Sequence, residues 1–319
     1  MANHGVIVTQ AATSVTTPSV AASGIPFVVG VAPVQSASNP ATPNVPVLCT
    51  SYTEAVEQLG YSDDWENYPL CEFMYAHFKI WASQPVVFCN VLDLSSMKES
   101  VSAATIDVTD GKALLPLEAI NDATLVVKAT GDNGATYILD TDYAVYYDGE
   151  NLVVEVLADG DCENATELSI AYSAAKPGDV EASDIVAGIE AIDLCMSTVA
   201  TIPDLICAPG YSGAADVAAV MATKADNING LFKAKALIDI AGATSYTEAI
   251  AKKTANNLTD VSQVLCWPML TLGITPSICP PCWLGCWLQL ILATMGALTN
   301  PLPIKAFPVM GWFWKMELF

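Results

Sequence analysis

Residues 204–240, with the sequence DLICAPGYSGAADVAAVMATKADNINGLFKAKALIDI, decide the fold class. Two short apolar strands are predicted in this stretch, at Asp204–Ala208 and Ala236–Ile240, and a helix is predicted between them at Ala214–Ile228. Short apolar strands that alternate with helices are typical of one mostly parallel sheet with helices on its faces. We therefore expect an α/β protein.

The same alternation continues on both sides of this stretch. Downstream, a helix is predicted at Tyr246–Asn256 and a strand at Val264–Pro268. Upstream, apolar strands are predicted at Ile25–Ala32, Val45–Cys49 and Val86–Leu92. Three more helices are predicted: one with a capping box at Ser51 and Glu54 that ends at Gly60, one that starts near Pro69 and carries Leu70, Phe73, Met74, His77, Phe78 and Trp81 at helical spacing, and one capped by Ser183 in which Ile185, Ile189, Ile192 and Met196 share a face.

Residues 101–180 differ from both flanks in charge and pattern. They hold 15 Asp and Glu against 3 Lys, a net charge of −12. Asp148, Gly149 and Glu150 lie between two β-type runs, which is a hairpin signal. We therefore predict that residues 99–180 form an inserted acidic antiparallel β domain. This insert splits the α/β core into two parts, residues 25–98 and residues 181–273. The strands expected in the insert are Thr124–Ala129, Thr136–Leu139, Tyr143–Tyr147, Asn151–Val156 and Glu167–Tyr172.

The overall charge excludes one class of partner. The formal net charge is −22, and Lys and Arg are not clustered, whereas a protein that neutralises phosphates needs clustered basic residues. We therefore expect no nucleic-acid partner. The start of the chain lacks the pattern of a signal peptide, and most cysteines sit in apolar runs, which favours a reduced protein made in the cytoplasm. Those cysteines are Cys49, Cys71, Cys89, Cys195, Cys207 and Cys266.

Residues 1–24 predict an extended amino-terminal arm. A short β signal is followed by AATSVTTPSVAAS, which has no periodicity with which to fold on itself. The backbone hydrogen-bonding groups of such a strand find partners when it pairs with the sheet edge of another subunit. The predicted inter-subunit strand consists of Gly5, Val6, Ile7 and Val8.

Candidate catalytic residues in an α/β sheet lie at the carboxyl ends of its strands. The candidates there are Asp93, Cys207 with Tyr211, Asp239 and Cys266. The sequence contains two histidines, His4 in the arm and His77 on an apolar helix face. A Cys–His nucleophile pair would require His77 to reach Cys207 or Cys89, and a core or interface histidine is the favoured interpretation. We predict no catalytic residue.

Cofactor and metal motifs are weak in this sequence. It has no phosphate-binding glycine loop, and residues 208–213 predict a strand-to-helix turn. The pair Asp63 and Asp64 and the pair Asp140 and Asp142 do not match a calcium loop, so solvated turns are expected. Cys279, Cys282 and Cys286 lack both a fourth zinc ligand and the strand–helix context of a redox motif. We predict no cofactor and no metal.

A long ordered series of segments carries a family resemblance. The segments GVIVTQAATSVTTPSVAASGIPFVVGVAP, VPVLCTSYTEAVEQLGYSDDWENYPLCEFMYAHF, PVVFCNVLD, PDLICAPGYS, VAAVMATKADNINGLFKAKALIDI and VLCWP occur in this order. The series resembles the tail sheath protein of contractile bacteriophage tails and related prophage particles. It covers roughly residues 4–95 and 183–272. The acidic insert lies where sheath proteins vary most.

The resemblance implies a structural protein of the virion tail, made in the cytoplasm of a bacterial host. Sheath subunits stack in rings around an inner tube, and their terminal arms link neighbouring subunits. The implied partners are other copies of the chain, the tail tube protein, and the baseplate and tail terminator components. The resemblance implies no enzyme, no cofactor and no membrane insertion, and it matches Gly5, Val6, Ile7 and Val8 to the linking arm.

Two other classes of function stay open at this point. An α/β enzyme would need a closed pocket lined by Asp239, Cys207 and Tyr211 with shifted pKa values. A membrane-anchored acidic surface protein is the other alternative, because Ile274–Ile304 contains no charged residue and nearly suffices to span a bilayer. Five prolines in that stretch count against a membrane span.

The unusual composition of residues 274–319 indicates a frameshift in the gene. They hold three charged residues among 46, against 43 among the preceding 273, and four of the seven tryptophans. When the codons of residues 310–317 are read from their third base, which is the neighbouring frame, the genetic code permits the peptide Gly-Val-Val-Leu-Glu-Asp-Gly. It also permits Pro-Tyr-Glu-Ser-Pro-Ser-Asn-Lys over residues 297–305, which resembles a recurrent sheath segment. We expect a single indel near codon 273 and a carboxyl-terminal sheath domain encoded in the neighbouring frame, without which the subunit would not build a working sheath.

Overall fold

The computed structural model of the chain describes residues 24–83, 85–131 and 134–267, together with the backbone of residues 271–272 and 275–276. The predicted arm strand Gly5, Val6, Ile7 and Val8 and the side chains of the predicted aberrant tail lie outside these residues. The described strands are β1 (Pro26–Gly30), β2 (Val47–Cys49), β3 (Val86–Asn90), β4 (Lys98–Asp107), β5 (Lys112–Pro116), β6 (Ala119–Ile120), β7 (Val126–Ala129), β8 (Tyr143–Tyr147), β9 (Asn151–Val156), β10 (Glu167–Ala175), β11 (Leu205–Cys207), β12 (Lys235–Asp239), β13 (Gln263–Cys266), β14 (Thr271–Leu272) and β15 (Thr275–Pro276).

The described α-helices alternate with the strands of the main sheet. A π-helical segment, Tyr75–Ile80, continues the second helix directly, and short 3-10 turns occupy Val34–Ser36, Pro177–Asp179 and Ala191–Leu194. The α-helices are α1 (Tyr52–Leu59), α2 (Pro69–Met74), α3 (Ala182–Glu190), α4 (Cys195–Thr198), α5 (Ala215–Asp226) and α6 (Tyr246–Ala255).

The main sheet has six strands in the order β13-β12-β11-β1-β3-β2. The first five run parallel, and β2 at the far edge pairs antiparallel with β3. β1 and β3 are buried along their whole lengths, as is usual for parallel strands covered on both faces. The predicted α/β class and the mostly parallel sheet are confirmed.

Local sequence signals explain how the helices begin and approach the sheet. The Ser51 hydroxyl accepts a hydrogen bond from the Glu54 backbone N–H (3.2 Å), and Gly60 ends α1 with a φ of 73°. α3 lies directly on the sheet because Gly188 has no side chain: a Cβ there would lie 2.5 Å from methyl groups of Val29 and Val91. The cap at Ser51 and the end at Gly60 confirm the predicted boundaries of α1.

Two details of the predicted third helix are wrong. Glu181, not Ser183, is the N-cap, because the Asp184 carboxylate accepts a hydrogen bond from the Glu181 N–H (2.9 Å) and closes a capping box there. The 3-10 turn Ala191–Leu194 interrupts the helical periodicity, so Met196 does not share the buried face and is 55% exposed.

Residues 98–175 form antiparallel sheets that are separate from the main sheet. One sheet has the order β4-β10-β6, with β7 also paired to β10, and the other has the order β5-β9-β8. β8 and β9 form the hairpin predicted around Gly149. These strands enclose a second hydrophobic core that includes Ala113, Leu115, Val127, Leu152, Leu168 and Ile170.

The insert also departs from its predicted strands. Thr136–Leu139 makes only isolated bridges, at Thr136 and Leu139, because the Asp142 carboxylate accepts the Ile138 N–H (2.7 Å) and turns the chain. The long strand β4 and its neighbour β5 are not predicted by the sequence. β4 is mostly exposed and rich in polar and small residues, so it lacks an apolar alternation.

The base of the insert is attached to the main core. The Gln35 side-chain N–H donates to the Leu117 carbonyl oxygen (3.2 Å), and Ile120 belongs to the main hydrophobic core. Where the chain enters and leaves the insert, the Lys176 N–H donates to the Met97 carbonyl oxygen (3.0 Å). The two connections therefore lie side by side.

Candidate functional site

The carboxyl ends of the parallel strands meet at one edge of the main sheet, where ligand sites of α/β proteins occur. A cleft of about 410 Å³ lies at this edge. Tyr211, in the turn after β11, and Asp239, the last residue of β12, both line it. Lys252 of α6 and Asn256, which follows α6, also line it. Two of the sequence candidates are therefore brought together.

Asp239 is the most perturbed acid at this edge. Its carboxylate accepts a hydrogen bond from the Ser212 hydroxyl (2.9 Å), and its backbone N–H donates to the same hydroxyl oxygen (3.0 Å). Within the described residues, Asp239 Oδ1 has no hydrogen-bond partner. Burial raises the pKa of Asp239 to about 8, with a further increase from the charge of Glu72 and a partial decrease from the Ser212 hydrogen bond. The side chain is therefore largely protonated at neutral pH.

The cysteines at this edge are buried. Cys207 is fully buried in β11 and is not among the residues that line the cleft. Burial raises the pKa of both the Cys207 and the Cys266 thiol, so neither forms a thiolate readily. The pocket that an enzyme would need is thus formed by Asp239 and Tyr211 without Cys207.

His77 is buried in the core of the protein. Its ring stacks on Phe73 (5.5 Å between centroids) and meets the Phe78 ring edge to face (5.3 Å). Neither ring nitrogen has a hydrogen-bond partner in the part of the chain that the structure describes. Burial lowers the pKa of His77 to about 4. The core interpretation of this histidine is confirmed.

The remaining acidic candidates stabilise turns. Hydrogen bonds from the Ser95 hydroxyl and from the Ser95 backbone N–H (2.8 Å) to the Asp93 carboxylate lower its pKa. Asp64 accepts hydrogen bonds from Asn67, and Asp142 accepts the N–H groups of Ile138 and Asp161. Across residues 24–83, 85–131 and 134–267, no group of three or more His, Cys, Asp or Glu is placed to hold a metal ion. Cys279, Cys282 and Cys286 lie outside the described residues.

Sequence reasoning misses Ser212 and Lys252. Ser212 lies four residues after the end of the predicted strand Asp204–Ala208. A polar residue just after a parallel strand is a candidate site residue, and that position was the available signal for Ser212. Its role depends on β12 lying beside β11, which the local sequence does not encode. Lys252 has no local signal, because its position at the cleft follows only from how α6 packs.

The outer strands of the main sheet form a second candidate surface. Among the described strands, β13 pairs only with β12, and β2 pairs only with β3. Each therefore has one side whose backbone groups meet no described strand, and such an edge can accept a strand from another chain. Three of the four residues of β13, Gln263, Val264 and Leu265, are only half-buried.

The insert presents a strongly acidic surface. Two of its three lysines are engaged in local ion pairs: Lys112 lies 3.7 Å from Glu155, and Lys176 lies 3.5 Å from both Glu99 and Asp179. These pairs are exposed and contribute little to stability. The other carboxylates of residues 101–180, which hold 15 acidic residues, leave the surface negative and favour solubility.

No protein-family model matches this chain, and no curated protein matches it. Within the described residues, no helix combines the length and the apolar character needed to cross a membrane.

Proposed function

We propose that the chain is a structural subunit of a contractile phage tail sheath. In this role it assembles with its own copies around the tail tube and drives the tube through the host envelope on contraction. The observation that carries the proposal is the ordered series of sheath-like segments. All six segments contain residues of the main sheet, from β1, β2, β3, β11, β12 and β13 in that order along the chain, and the separate antiparallel insert lies between the third and fourth segments.

The described site supports an assembly role more than a catalytic one. His77 is enclosed by aromatic rings, Cys207 is buried, and Asp93 stabilises a turn, so these candidates do not combine into a catalytic set. The main sheet instead offers edge strands for pairing between subunits. The proposed partners are other copies of the chain, the tube protein, and the baseplate and terminator components, in the virion tail.

Electron microscopy of the chain co-expressed with its tube protein tests this proposal. Two versions are needed: the present chain, and a chain whose reading frame is restored near codon 273. We expect tubular sheaths from the restored chain only. A matched version of the restored chain that lacks residues 1–20 should keep its circular-dichroism spectrum but sediment as smaller particles. A restored chain that stays monomeric beside its tube would overturn the proposal.

One observation favours a second candidate, an α/β enzyme of unknown substrate. The cleft beside Asp239 holds a buried acid with a raised pKa, which is a common feature of acid–base catalysts. A thermal-shift screen of small metabolites against the wild type and Asp239→Asn tests it. A compound that stabilises only the wild type supports this candidate, and a screen without such a compound counts against it.

A further inference from the structure

The cleft at the carboxyl edge of the main sheet combines a lysine with apolar walls. Among the described residues that line it, the ionisable ones are Lys252, Asp239 and Tyr211. Its volume of about 410 Å³ lies within the roughly 300–1,000 Å³ of small-molecule sites. The larger apolar side chains of its lining are Val217, Ile240 and Leu258.

The Lys252 ammonium is held at the cleft without a carboxylate partner. It donates to the Ala241 carbonyl oxygen, and the absence of a side chain at Gly242 leaves room for it, since a Cβ there would lie only 3.0 Å from Nζ. Glu248, one turn earlier on α6, instead accepts the Thr244 N–H and hydroxyl (2.8 Å each). Within the described part of the chain Lys252 forms no ion pair, and two of its three ammonium donors remain for a ligand.

Helix α5 begins at the same cleft, where Gly213, Ala214 and Val217 are part of the lining. The first N–H groups of a helix carry partial positive charge and have no partner inside the helix. The Asp216 carboxylate accepts the Val217 N–H (2.9 Å). The N–H groups of Ala215 and Asp216 make no hydrogen bond to any described residue. The start of α5 therefore adds positive potential to the cleft.

Asp239 is a buried acid at this cleft with one unpartnered oxygen. It lines the cleft and is 4% exposed, and among the described residues its Oδ1 has no hydrogen-bond partner. A buried polar atom without a partner is destabilising, and a bound ligand removes that cost. Because Oδ2 accepts the Ser212 hydroxyl, the proton that Asp239 holds at neutral pH belongs on Oδ1. Asp239 therefore offers a hydrogen-bond donor and does not repel an anion.

We propose that this cleft binds a small organic anion, with its carboxylate or phosphate group near the Lys252 ammonium and the start of α5 and its apolar part against Val217 and Leu258. The chain has a net charge of −22, so a cleft whose described lining is positively charged differs from the protein as a whole. The proposal names a ligand class for the cleft of the enzyme candidate. It requires binding only, without turnover and without sheath assembly.

Titration of the full chain with benzoate and phenyl phosphate tests the proposal, with benzamide as the neutral analogue of benzoate. We expect at least one anion to shift the amide NMR signals of Gly213 and Ala241 saturably at pH 7, and the tighter of the two identifies the head group. Lys252→Gln should weaken this binding about tenfold, because it removes a charge-assisted hydrogen bond. Benzamide should produce no saturable shift at these amides.

Three further variants separate the cleft from the rest of the surface. Lys253→Gln is the matched control, because Lys253 is the next residue of α6, is exposed and is not part of the lining, so affinity should stay unchanged. Lys252→Arg keeps the positive charge and should retain binding. Ala182→Leu fills the cleft while Lys252 stays intact, and it should abolish binding. Circular dichroism checks that each variant keeps the wild-type fold.

Four outcomes would overturn the proposal. Two concern the wild type: neither anion binds saturably, or benzamide binds as tightly as benzoate. The third is that Lys253→Gln weakens binding as much as Lys252→Gln does, which would show a general effect of surface charge. The fourth is that binding persists in Ala182→Leu, which would locate the anion outside the cleft. Because the titration measures neither turnover nor assembly, its result is independent of both candidate functions.

Discussion

Ser212 and Asp239 hold each other through two hydrogen bonds. The Asp239 N–H donates to the Ser212 hydroxyl oxygen (3.0 Å), and that hydroxyl donates to the Asp239 carboxylate (2.9 Å). Both residues are buried, and together they fasten the end of β12 to the turn after β11. The pair has consequences for stability that do not depend on which function the chain performs.

Stability should fall as pH rises because of Asp239. Its pKa is about 8 in the folded chain against 3.8 as the ordinary value, so the folded state binds the proton more tightly. The stabilisation is complete below pH 4 and is lost as pH rises towards 8, by at most about 1.4 kcal/mol per pH unit. Urea unfolding from pH 6.5 to 8, above the range in which His77 titrates, should show this loss in the wild type and a smaller loss in Asp239→Asn. Asp93→Asn is the control, because the lowered pKa of Asp93 titrates below this range; an unchanged slope in Asp239→Asn would contradict the prediction.

Ser212→Ala should destabilise the chain by roughly 1–3 kcal/mol, because two buried polar groups of Asp239 lose their partner. The substitution should also raise the pKa of Asp239 further, since the Ser212 hydrogen bond lowers it. Chemical unfolding at pH 7 measures the first effect, and the pH dependence measures the second. Ser197→Ala is the matched control, because the Ser197 hydroxyl donates a local hydrogen bond to the Leu194 carbonyl oxygen at an exposed position. Equal stabilities of the two variants would contradict the assigned role of Ser212.

His77 should make the chain sensitive to acid. Its pKa is about 4 when folded and 6.5 as the ordinary value, so the unfolded chain gains a proton first as pH falls. Stability is therefore lost between pH 6.5 and 4, by at most about 1.4 kcal/mol per pH unit. His77→Phe should remove this loss relative to the wild type, and His77→Gln should remove it as well despite poorer packing. The same acid loss in His77→Phe would show that another group titrates.

Removal of the insert should leave a folded core. Lys98 and Ala175 are register partners, and Met97 and Lys176 share a hydrogen bond, so a short glycine linker can replace residues 98–175. We expect cooperative unfolding with a stability lower by roughly 1–3 kcal/mol, since Ile120 no longer fills the main core. Calorimetry measures this, and a version with a scrambled insert of equal length is the control. A chain without a cooperative transition would show that the insert is part of one folding unit.

The gene should contain an open neighbouring frame after codon 273. That frame should encode Gly-Val-Val-Leu-Glu-Asp-Gly, or a close variant, across the codons of residues 310–317. Sequencing of the gene through this region decides the question, and the codons before 273 serve as the internal control. A neighbouring frame interrupted by stop codons would contradict the frameshift.

Local signals in the sequence determined the elements whose residues contact near neighbours in the chain. The α1 cap at Ser51, the hairpin around Gly149 and the buried strand β1 follow from capping chemistry, turn chemistry and an unbroken apolar run. These interactions span a few residues, so a short window contains all their partners. The alternation of such strands with helices was enough to predict the sheet class.

Only the tertiary structure decided which distant residues meet. No local pattern specifies the strand order, the antiparallel direction of β2 or the Ser212–Asp239 pair, because each of them joins segments that are distant in the sequence. Burial and pKa depend on everything that surrounds a group, and packing selects those surroundings after the chain folds. The sequence could therefore name Asp239 as a candidate, but its raised pKa arises from the fold.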